Sequence, residues 1–345
     1  MDEVGALVEL LKAYSPSGTE EKAAQAFATI AKSLGYTTEL DGAGNPIARR
    51  GHGAPQVLFL SHIDTVDGEI PVKVEGGRVY GRGACDAKGA LAAALLAGSR
   101  HEGPGEVVVI GAVGEEKDSR GARYLIPRMK PNFLIVGEPS KWDGVTIGYK
   151  GNLDLLFTFE GERTHLSSPS PTTLELALVS LYRLQAWGAD HQDETQFKSL
   201  THKVHTINTG RVGGREIVKV GVNIRLPPAV KVADAIAFLD STDLKGKYKV
   251  GDSSDAVEVD RTNEVVRSLT GAIRELGGTP TLFKKSGTAD MNLAVPVWGC
   301  PAAAYGPGDA HLDHTEQESL DVGEFHNAIR VLEKAFASLT QRKFV

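Results

Sequence analysis

The chain has 345 residues, more than a single hydrophobic core usually supports, so two domains are expected. Its hydrophobic fraction of 41% and charged fraction of 24% are those of an ordinary globular protein, and no apolar run of about 18 residues predicts a membrane span. The net charge of −6 argues against general nucleic-acid binding, and two cysteines are too few for a disulfide framework or a cysteine zinc site.

The N-terminal region predicts two helices. Residues 2–14 combine an acidic start with an apolar period of three to four, which indicates an amphipathic helix rather than a secretion signal. We therefore expect a cytoplasmic protein. A second helix is predicted over residues 20–35, after a capping stretch at residues 17–20.

Three short apolar runs follow, at residues 57–60, 107–113 and 133–136. Runs of this length, bounded by glycine and proline, are typical of strands buried on both faces of an α/β sheet. An alanine-rich helix at residues 88–99 lies between the first two runs. The pattern predicts helices flanking a mixed, mostly parallel sheet.

The pattern changes near residue 150. Strand patterns cover residues 154–159, 202–211, 216–226 and 248–250, and helical patterns cover residues 172–187 and 231–239. The order β-α-β-β-α-β is that of a ferredoxin-like α+β unit. The first pattern then returns through residues 295–305 to a final helix at 322–339. We predict a catalytic domain formed by residues 1–149 and 261–345, interrupted by an inserted domain at residues 150–260.

Side chains able to bind metals fall at the ends of predicted strands or in the loops just after them. They are His62, Asp64, Asp86 in a glycine-rich loop, the adjacent Glu115 and Glu116, and Glu138. Open α/β sheets form their sites at the carboxyl ends of their strands. Folding alone gives little reason for so many of these residues at separate strand ends.

These residue types suit a centre of two divalent ions. Two ions about 3.5–4 Å apart need a bridging carboxylate and further nitrogen or oxygen ligands. A glutamate beside the ligands could act as the general base, so Glu115 and Glu116 could divide the two roles. Asp64 could hold the second imidazole nitrogen of His62.

Five segments, in order, resemble the M20 family of metallo-aminoacylases and peptidases, which contains acetylornithine deacetylase and succinyl-diaminopimelate desuccinylase. They are Ser61-His62-Ile63-Asp64-Thr65-Val66, residues 81–89, Glu115-Glu116, Gly137-Glu138-Pro139 and His314-Thr315. The resemblance implies a zinc-peptidase-like fold. It also implies that His62 and Glu138 bind one ion, that Glu116 and His314 bind the other, that Asp86 bridges them and that Glu115 is the base. Zinc and cobalt both suit these ligands.

The inserted domain resembles the family's lid and dimerisation domain. By that resemblance His165 would stabilise the oxyanion in the site of the partner subunit of a homodimer. Residues 223–227 resemble a family stretch that begins with aspartate, where this chain has Asn223. Arg225 remains a candidate for binding a substrate carboxylate, and the backbone amides of Gly287 and Thr288 could form an anion nest for the same group.

One branch of the family is most similar in the segments around Asp290 and Tyr305. Its members release lysine or ornithine from the C-terminal glutamate of an acidic amino-group carrier protein, LysW. Residues 201–231 contain six basic residues and one acidic residue, a net charge of +5. This segment could dock an acidic carrier, or it could simply be a hairpin with charged outer faces.

Other interpretations remain at single positions. Asp86 could cap the following helix, Glu115 and Glu116 could be a solvated loop pair, and His311 competes with His314. Cys85 suits a buried small residue better than a nucleophile. Asp290 suits a brace for its loop better than a metal ligand.

Two rival functions also remain. The chain could hydrolyse free N-acetylated or N-succinylated diamino acids without a carrier. It could also be an inactive binding protein with the family fold, although all five ligand positions and Glu115 are present.

Overall fold

The computed structural model describes residues 2–165 and 167–342. Its helices are α1 (Glu3–Lys12), α2 (Glu21–Ser33), α3 (Lys88–Ser99), α4 (Arg120–Leu125), α5 (Thr173–Ala189), α6 (Val232–Ser241), α7 (Glu264–Glu275), α8 (Met291–Trp298) and α9 (Val322–Thr340). Its strands are β1 (Thr37–Leu40), β2 (Pro46–His52), β3 (Gln56–His62), β4 (Lys73–Glu75), β5 (Arg78–Tyr80), β6 (Gly105–Ala112), β7 (Phe133–Gly137), β8 (Gly144–Tyr149), β9 (Gly151–Glu162), β10 (Thr201–Val212), β11 (Arg215–Leu226), β12 (Lys247–Ser254), β13 (Val257–Glu258), β14 (Thr281–Lys285), β15 (Ala302–Ala304) and β16 (Ser319–Asp321). None of the helices in the described ranges combines the length and apolar character that a membrane span requires.

The chain divides into two compact units. One comprises the residues up to Gly148, Val259–Lys284 and the residues from Ala289 onward, and the other comprises Tyr149–Glu258 and Lys285–Thr288. The short segment joins the second unit because the backbone N–H of Lys150 donates to the carbonyl of Lys285 over 3.1 Å.

The first unit is built on a sheet with the strand order β1-β2-β6-β3-β7-β15-β8. The central strands β6, β3, β7 and β15 run parallel, and β1, β2 and β8 are antiparallel to their neighbours. Consecutive residues of β3 are buried, so both faces of the sheet are covered. Almost all of α3 is buried, because its alanines and glycines allow close packing. The predicted mixed, mostly parallel sheet is confirmed.

The second unit has an antiparallel sheet with the order β10-β11-β9-β12. Alternate residues of β9, such as Leu153 and Phe157, enter a core shared with α5 and α6. The elements follow the chain in the order β9-α5-β10-β11-α6-β12. This is the ferredoxin-like order that the sequence predicts.

One local prediction was wrong. Residues 17–20 do not cap α2 through a side chain, because the Ser17 hydroxyl donates to Asp64 instead and Glu20 provides no side-chain cap bond. Residues 295–305 divide between the end of a helix and a short strand. α8 extends to Trp298 and ends at Gly299, whose φ of 61° suits glycine, so the strand is confined to Ala302–Ala304.

Candidate metal centre

Three neighbouring parallel strands deliver metal-binding residue types to one edge of the first unit's sheet. His62 is the last residue of β3, Glu115 and Glu116 follow β6, and Glu138 follows β7. Because β3 lies between β6 and β7 and is parallel to both, their carboxyl ends meet at the same edge. The order of the strands, rather than spacing along the chain, brings these residues together.

Asp86 and His314 reach this edge from loops. The two carboxylate oxygens of Asp86 lie 3.1 Å from Nε2 of His62 and 3.1 Å from Nε2 of His314. Nε2 of His314 also lies 3.0 Å from Oε1 of Glu116. The ligand atoms form two groups, His62–Asp86–Glu138 and Asp86–Glu116–His314, with all atoms of a group within 4.8 Å of one another. Asp86 belongs to both groups, so its carboxylate has the geometry of a bridge.

The hydrogen bonding of His62 leaves one ring nitrogen free to bind a metal. Nδ1 lies 2.9 Å from the backbone carbonyl oxygen of Asp64, and because a carbonyl only accepts, Nδ1 carries the hydrogen. Nε2 of the neutral ring then turns its lone pair toward Asp86. A lone pair and a carboxylate oxygen face each other favourably only around a cation or a proton. The arrangement fits zinc, which takes imidazole nitrogen and carboxylate oxygen.

In the absence of metal, protons stabilise this cluster. Burial lowers the pKa of His62, but the hydrogen bond and charge of Asp86 outweigh it, so the pKa lies well above its usual value. Hydrogen bonds with Asp86 and Glu116 raise the pKa of His314 to about 10. Burial raises the pKa of Asp86, but the two histidines lower it further, below its usual value. Metal binding must therefore displace protons.

Asp64 contacts His62 through its backbone rather than through its carboxylate. The second imidazole nitrogen of His62 donates to the Asp64 backbone, and the nearer carboxylate oxygen is 3.7 Å away. The buried carboxylate instead accepts the backbone N–H groups of Glu115 and Glu116, over 3.0 and 3.2 Å, and the hydroxyl of Ser17 over 2.6 Å. Asp64 therefore fixes the loop that carries both glutamates. No local pattern predicts the contact of Asp64 with Ser17, which lies 47 residues away along the chain.

Glu115 differs electrostatically from the surrounding carboxylates. Burial raises its pKa well above the usual value; the positive charge of His62 opposes this, and the negative charges of Glu138, Asp290 and Glu116 add to it. Glu115 belongs to neither ligand group. A buried carboxylate with increased proton affinity, next to metal ligands, is suited to general base catalysis.

Two alternative interpretations are not supported by the geometry. α3 has Ala87 at its N-cap and no side-chain cap bond, so Asp86 does not cap that helix. His311 is exposed and lies outside both ligand groups, whereas His314 belongs to one of them.

Cys85 and Asp290 are buried and have structural contacts. The Cys85 thiol lies 3.4 Å from the carbonyl oxygen of Ser319, and burial raises the thiol pKa far above its usual value, which is unsuitable for a nucleophile. Burial also raises the pKa of Asp290 to about 7, and its carboxyl is hydrogen-bonded to Ser119 in the loop after Glu116. This contact agrees with a bracing role for Asp290.

The second unit contains the other predicted site residues. Nδ1 of the exposed His165 accepts the backbone N–H of Ser167 over 3.3 Å, so Nε2 carries the ring hydrogen and is a donor. The Arg225 guanidinium donates to the hydroxyl of Thr288 over 3.2 Å, and burial lowers the Arg225 pKa. Gly287 precedes Thr288 in the segment that joins this unit.

Glu318 and Arg82 are further residues at the centre that the sequence reasoning missed. The Glu318 carboxylate accepts the backbone N–H of Asp86 over 3.1 Å and the Arg82 guanidinium over 2.9 Å. The one available signal was the position of Glu318, four residues after His314 and directly before a strand.

The chain is similar in sequence to [LysW]-lysine and [LysW]-lysine/[LysW]-ornithine hydrolases over almost its entire length. It is 35% identical to the [LysW]-lysine hydrolase of Deinococcus radiodurans, with 94% of this chain and 93% of that protein covered. It is 37% identical to a putative [LysW]-lysine/[LysW]-ornithine hydrolase of Pyrococcus abyssi, with coverage of 96% and 93%.

Solved structures share the fold at low sequence identity. A tripeptidase from Staphylococcus aureus has a TM-score of 0.80 at 18% identity, covering 99% of this chain and 98% of that one. An M20 family metallo-carboxypeptidase from Sulfolobus solfataricus has a TM-score of 0.75 at 20% identity, covering 99% of both chains. The model of peptidase family M20/M25/M40 matches residues 58–338. The chain therefore belongs to peptidase family M20/M25/M40.

Proposed function

We propose that this protein is a two-metal hydrolase that releases lysine or ornithine from the C-terminal glutamate of the carrier protein LysW, in lysine or arginine biosynthesis. The observation that carries the chemistry is the pair of ligand groups that share Asp86, with Glu115 beside them. The substrate is supported by the names of relatives that are 35% and 37% identical over nearly the full chain.

In this proposal each carboxylate has a separate task. His62 and Glu138 would hold one ion, Glu116 and His314 would hold the other, and Asp86 would be a ligand of both. Zinc or cobalt bound there would supply Lewis acidity to the scissile carbonyl and to the attacking water. Glu115 takes the proton of the attacking water and passes it to the leaving amine. Asp64 keeps the glutamate loop in position through its backbone hydrogen bonds.

Residues of the second unit bind the charged parts of the substrate and the transition state. The Nε2–H of His165, contributed to the site of a partner subunit, stabilises the developing oxyanion. Arg225 pairs with the substrate carboxylate, and its half-buried guanidinium has only the neutral Thr288 hydroxyl as a hydrogen-bond partner among the described residues. Gly287 and Thr288 complete this anion site with their backbone amides.

A homodimer is supported by the exposed surface of the second unit. β10 is an edge strand that is exposed over most of its length, and its Val204 and Ile207 side chains are 42% and 48% exposed. Tyr182 on α5 is 70% exposed. A long, exposed edge strand readily pairs with another chain. Light scattering of the protein at micromolar concentration should give the mass of two chains, and a monomer would contradict this assembly.

The carrier docks, in this proposal, on the basic hairpin formed by β10 and β11. Arg215 and Lys219 are exposed on β11 and offer positive charge to an acidic protein. Charge reversal at both positions should weaken turnover of carrier-linked lysine several-fold and spare small acylated lysines. The matched control reverses Lys32 and Lys130, exposed basic residues of the first unit, and should have little effect. Equal losses on the carrier-linked and small substrates would exclude the docking surface.

The substrate assignment is tested with purified enzyme and matched substrates. Carrier-linked lysine and ornithine are compared with free N-acetylated and N-succinylated diamino acids at equal concentration. We expect kcat/KM to be at least about a hundredfold higher for a carrier-linked substrate, a difference of about 2.7 kcal/mol in transition-state binding. If kcat/KM is higher for a free acylated diamino acid, that compound, and not the carrier-linked amino acid, is the substrate. The absence of any hydrolysis would favour a binding protein.

A further inference from the structure

Arg82 and Glu318 form a buried ion pair whose role lies outside the ligand set. Arg82 Nη1 is 2.9 Å from Glu318 Oε2, and the two side chains are 6% and 1% exposed. A buried pair of this kind is often no more stabilising than apolar residues of the same size. Stability alone therefore gives no reason for these two residue types at this position.

The Glu318 carboxylate holds the backbone of the loop that carries Asp86. Its Oε1 accepts the N–H groups of Cys85 over 3.0 Å and Asp86 over 3.1 Å. Its other oxygen accepts from Arg82, so both oxygens are engaged. A carboxylate that accepts two adjacent N–H groups is a stronger constraint on a loop than a neutral side chain, because charge-assisted hydrogen bonds are shorter and stronger.

Arg82 extends the same constraint to the loop of His314. Its Nη1 donates to the carbonyl of Thr315 over 3.0 Å and its Nε donates to the carbonyl of Gly68 over 2.9 Å. Thr315 directly follows His314, whose φ of 62° is in the left-handed region. That conformation is unfavourable for a residue with a side chain and persists only when its surroundings enforce it.

We propose that Glu318, acting with Arg82, is a positioning residue that holds Asp86 and His314 at ligand distance from each other. The inference rests on the proposed two-metal function. The pair holds the loops of two ligands in the Asp86–Glu116–His314 group, namely Asp86 and His314. In the His62–Asp86–Glu138 group it holds the loop of one ligand, Asp86. Loss of the pair should therefore lower the affinity for the ion held by Asp86, Glu116 and His314 more than the affinity for the other ion.

The substitution Glu318→Gln tests this role, because it keeps the shape and removes the charge. The matched control is Glu324→Gln. Glu324 Oε1 also accepts two backbone N–H groups, from Trp142 over 2.9 Å and Gly308 over 3.0 Å, but neither group belongs to a proposed ligand. Metal-stripped proteins are titrated with Co²⁺ and followed by calorimetry and visible absorption, with circular dichroism to verify folding.

We expect the wild-type protein to bind two Co²⁺ ions per chain. Glu318→Gln should weaken one of them by about 10–100-fold, the effect typical of losing a residue that orients a ligand, and the other by less than about threefold. Glu324→Gln should leave both affinities within about threefold of wild type. The ion weakened in Glu318→Gln should be the one lost in His314→Ala.

Unchanged affinities in Glu318→Gln, or equal losses in both glutamine variants, would overturn the positioning role alone. A wild-type protein that binds fewer than two ions would instead contradict the proposed function, and the inference with it. If Glu318→Gln does not fold, Arg82→Lys is the second variant. It keeps the charge but loses the planar fork that spans Glu318 and Thr315. The same single ion should be weakened, and two wild-type affinities in that variant would reject the proposal.

Discussion

At the scale of single residues, the centre depends on carboxylates with different surroundings. Asp86 lies between two imidazole rings, which lower its pKa, whereas burial and neighbouring acids raise the pKa of Glu115. The Asp64 carboxylate accepts hydrogen bonds from the backbone N–H groups of the two adjacent glutamates and from the Ser17 hydroxyl. All three side chains are carboxylates, and their different environments suit them to separate tasks.

The hydrogen bond between Ser17 and Asp64 should contribute both to stability and to catalysis. Ser17→Ala removes the 2.6 Å hydrogen bond to the buried Asp64 carboxylate. We expect a loss of about 1.5–3 kcal/mol in the free energy of unfolding, because a hydrogen bond to a charged group is lost. A several-fold decrease in kcat should accompany it, because the glutamate loop loosens, while metal content stays unchanged.

The control for Ser17 is Ser33→Ala. Among the described residues, its hydroxyl donates to the Ile30 carbonyl within α2 alone, over 2.7 Å. We expect less than about 1 kcal/mol of destabilisation and no change in kcat, measured by urea unfolding and steady-state kinetics. Equal effects of the two substitutions on kcat would show that Ser17 has no special link to the site.

Sequence reasoning selected candidate ligands that the structure brings together. It did not find the residues that hold those candidates in place. His62, Asp86 and Glu116 occur in compact local motifs whose composition points to metal chemistry. Glu318 is 232 residues from Asp86, and in the sequence it resembles an ordinary loop acid. Contacts of this kind depend on the path of the chain in three dimensions, which residue spacing does not reveal.

At the scale of elements, hydrophobic patterns located the central strands because those strands are buried on both faces. Element ends were less predictable, since α2 lacks the predicted side-chain cap and the sequence pattern did not show where α8 ends and β15 begins. Both differences arise from tertiary contacts and backbone geometry. The Ser17 hydroxyl is used by Asp64, and Gly299 ends α8 in a left-handed conformation.

Alanine substitutions at two helical glycines should change the free energy of unfolding in opposite directions. A Cβ at Gly89 in α3 would lie 2.3 Å from the carbonyl oxygen of Ala84 and 2.8 Å from Leu320. Gly89→Ala should therefore destabilise the protein by about 1–3 kcal/mol and disturb the adjacent Asp86 loop.

Gly271 in α7 is the matched control, because a Cβ there meets no heavy atom of the described residues within 4 Å. Gly271→Ala should stabilise the protein by about 0.4–1 kcal/mol, since it reduces the freedom of the unfolded chain. Urea unfolding of both variants measures the difference. A change of the same sign in both would contradict the packing described for α3.

At the scale of the whole molecule, metal binding, protonation and stability are linked. The pKa of His314 in the folded, metal-free protein is about 10, above its usual value of 6.5. Its contribution to the stability of the metal-free protein is therefore complete below about pH 6.5 and is lost as the pH rises toward 10. Protons compete with metal at the same nitrogen, so the apparent metal affinity should rise over this range.

Thermal unfolding between pH 6 and 9, with and without bound zinc, checks this linkage. We expect the stabilisation by zinc to increase with pH, because fewer protons must be displaced. Zinc stabilisation that is constant or decreases with pH would show that His314 is not a ligand.

The central claim is that Glu115 moves a proton while Asp86 holds both ions. It is tested most directly by measuring metal content and hydrolysis in Glu115→Gln and Asp86→Ala. We predict that Glu115→Gln keeps about two ions per chain and loses about 10²–10⁴-fold in kcat, the usual contribution of a general base. Asp86→Ala should lose metal as well as activity, because its carboxylate is common to both ligand groups. Substantial activity in Glu115→Gln, or two tightly bound ions in Asp86→Ala, would contradict this account.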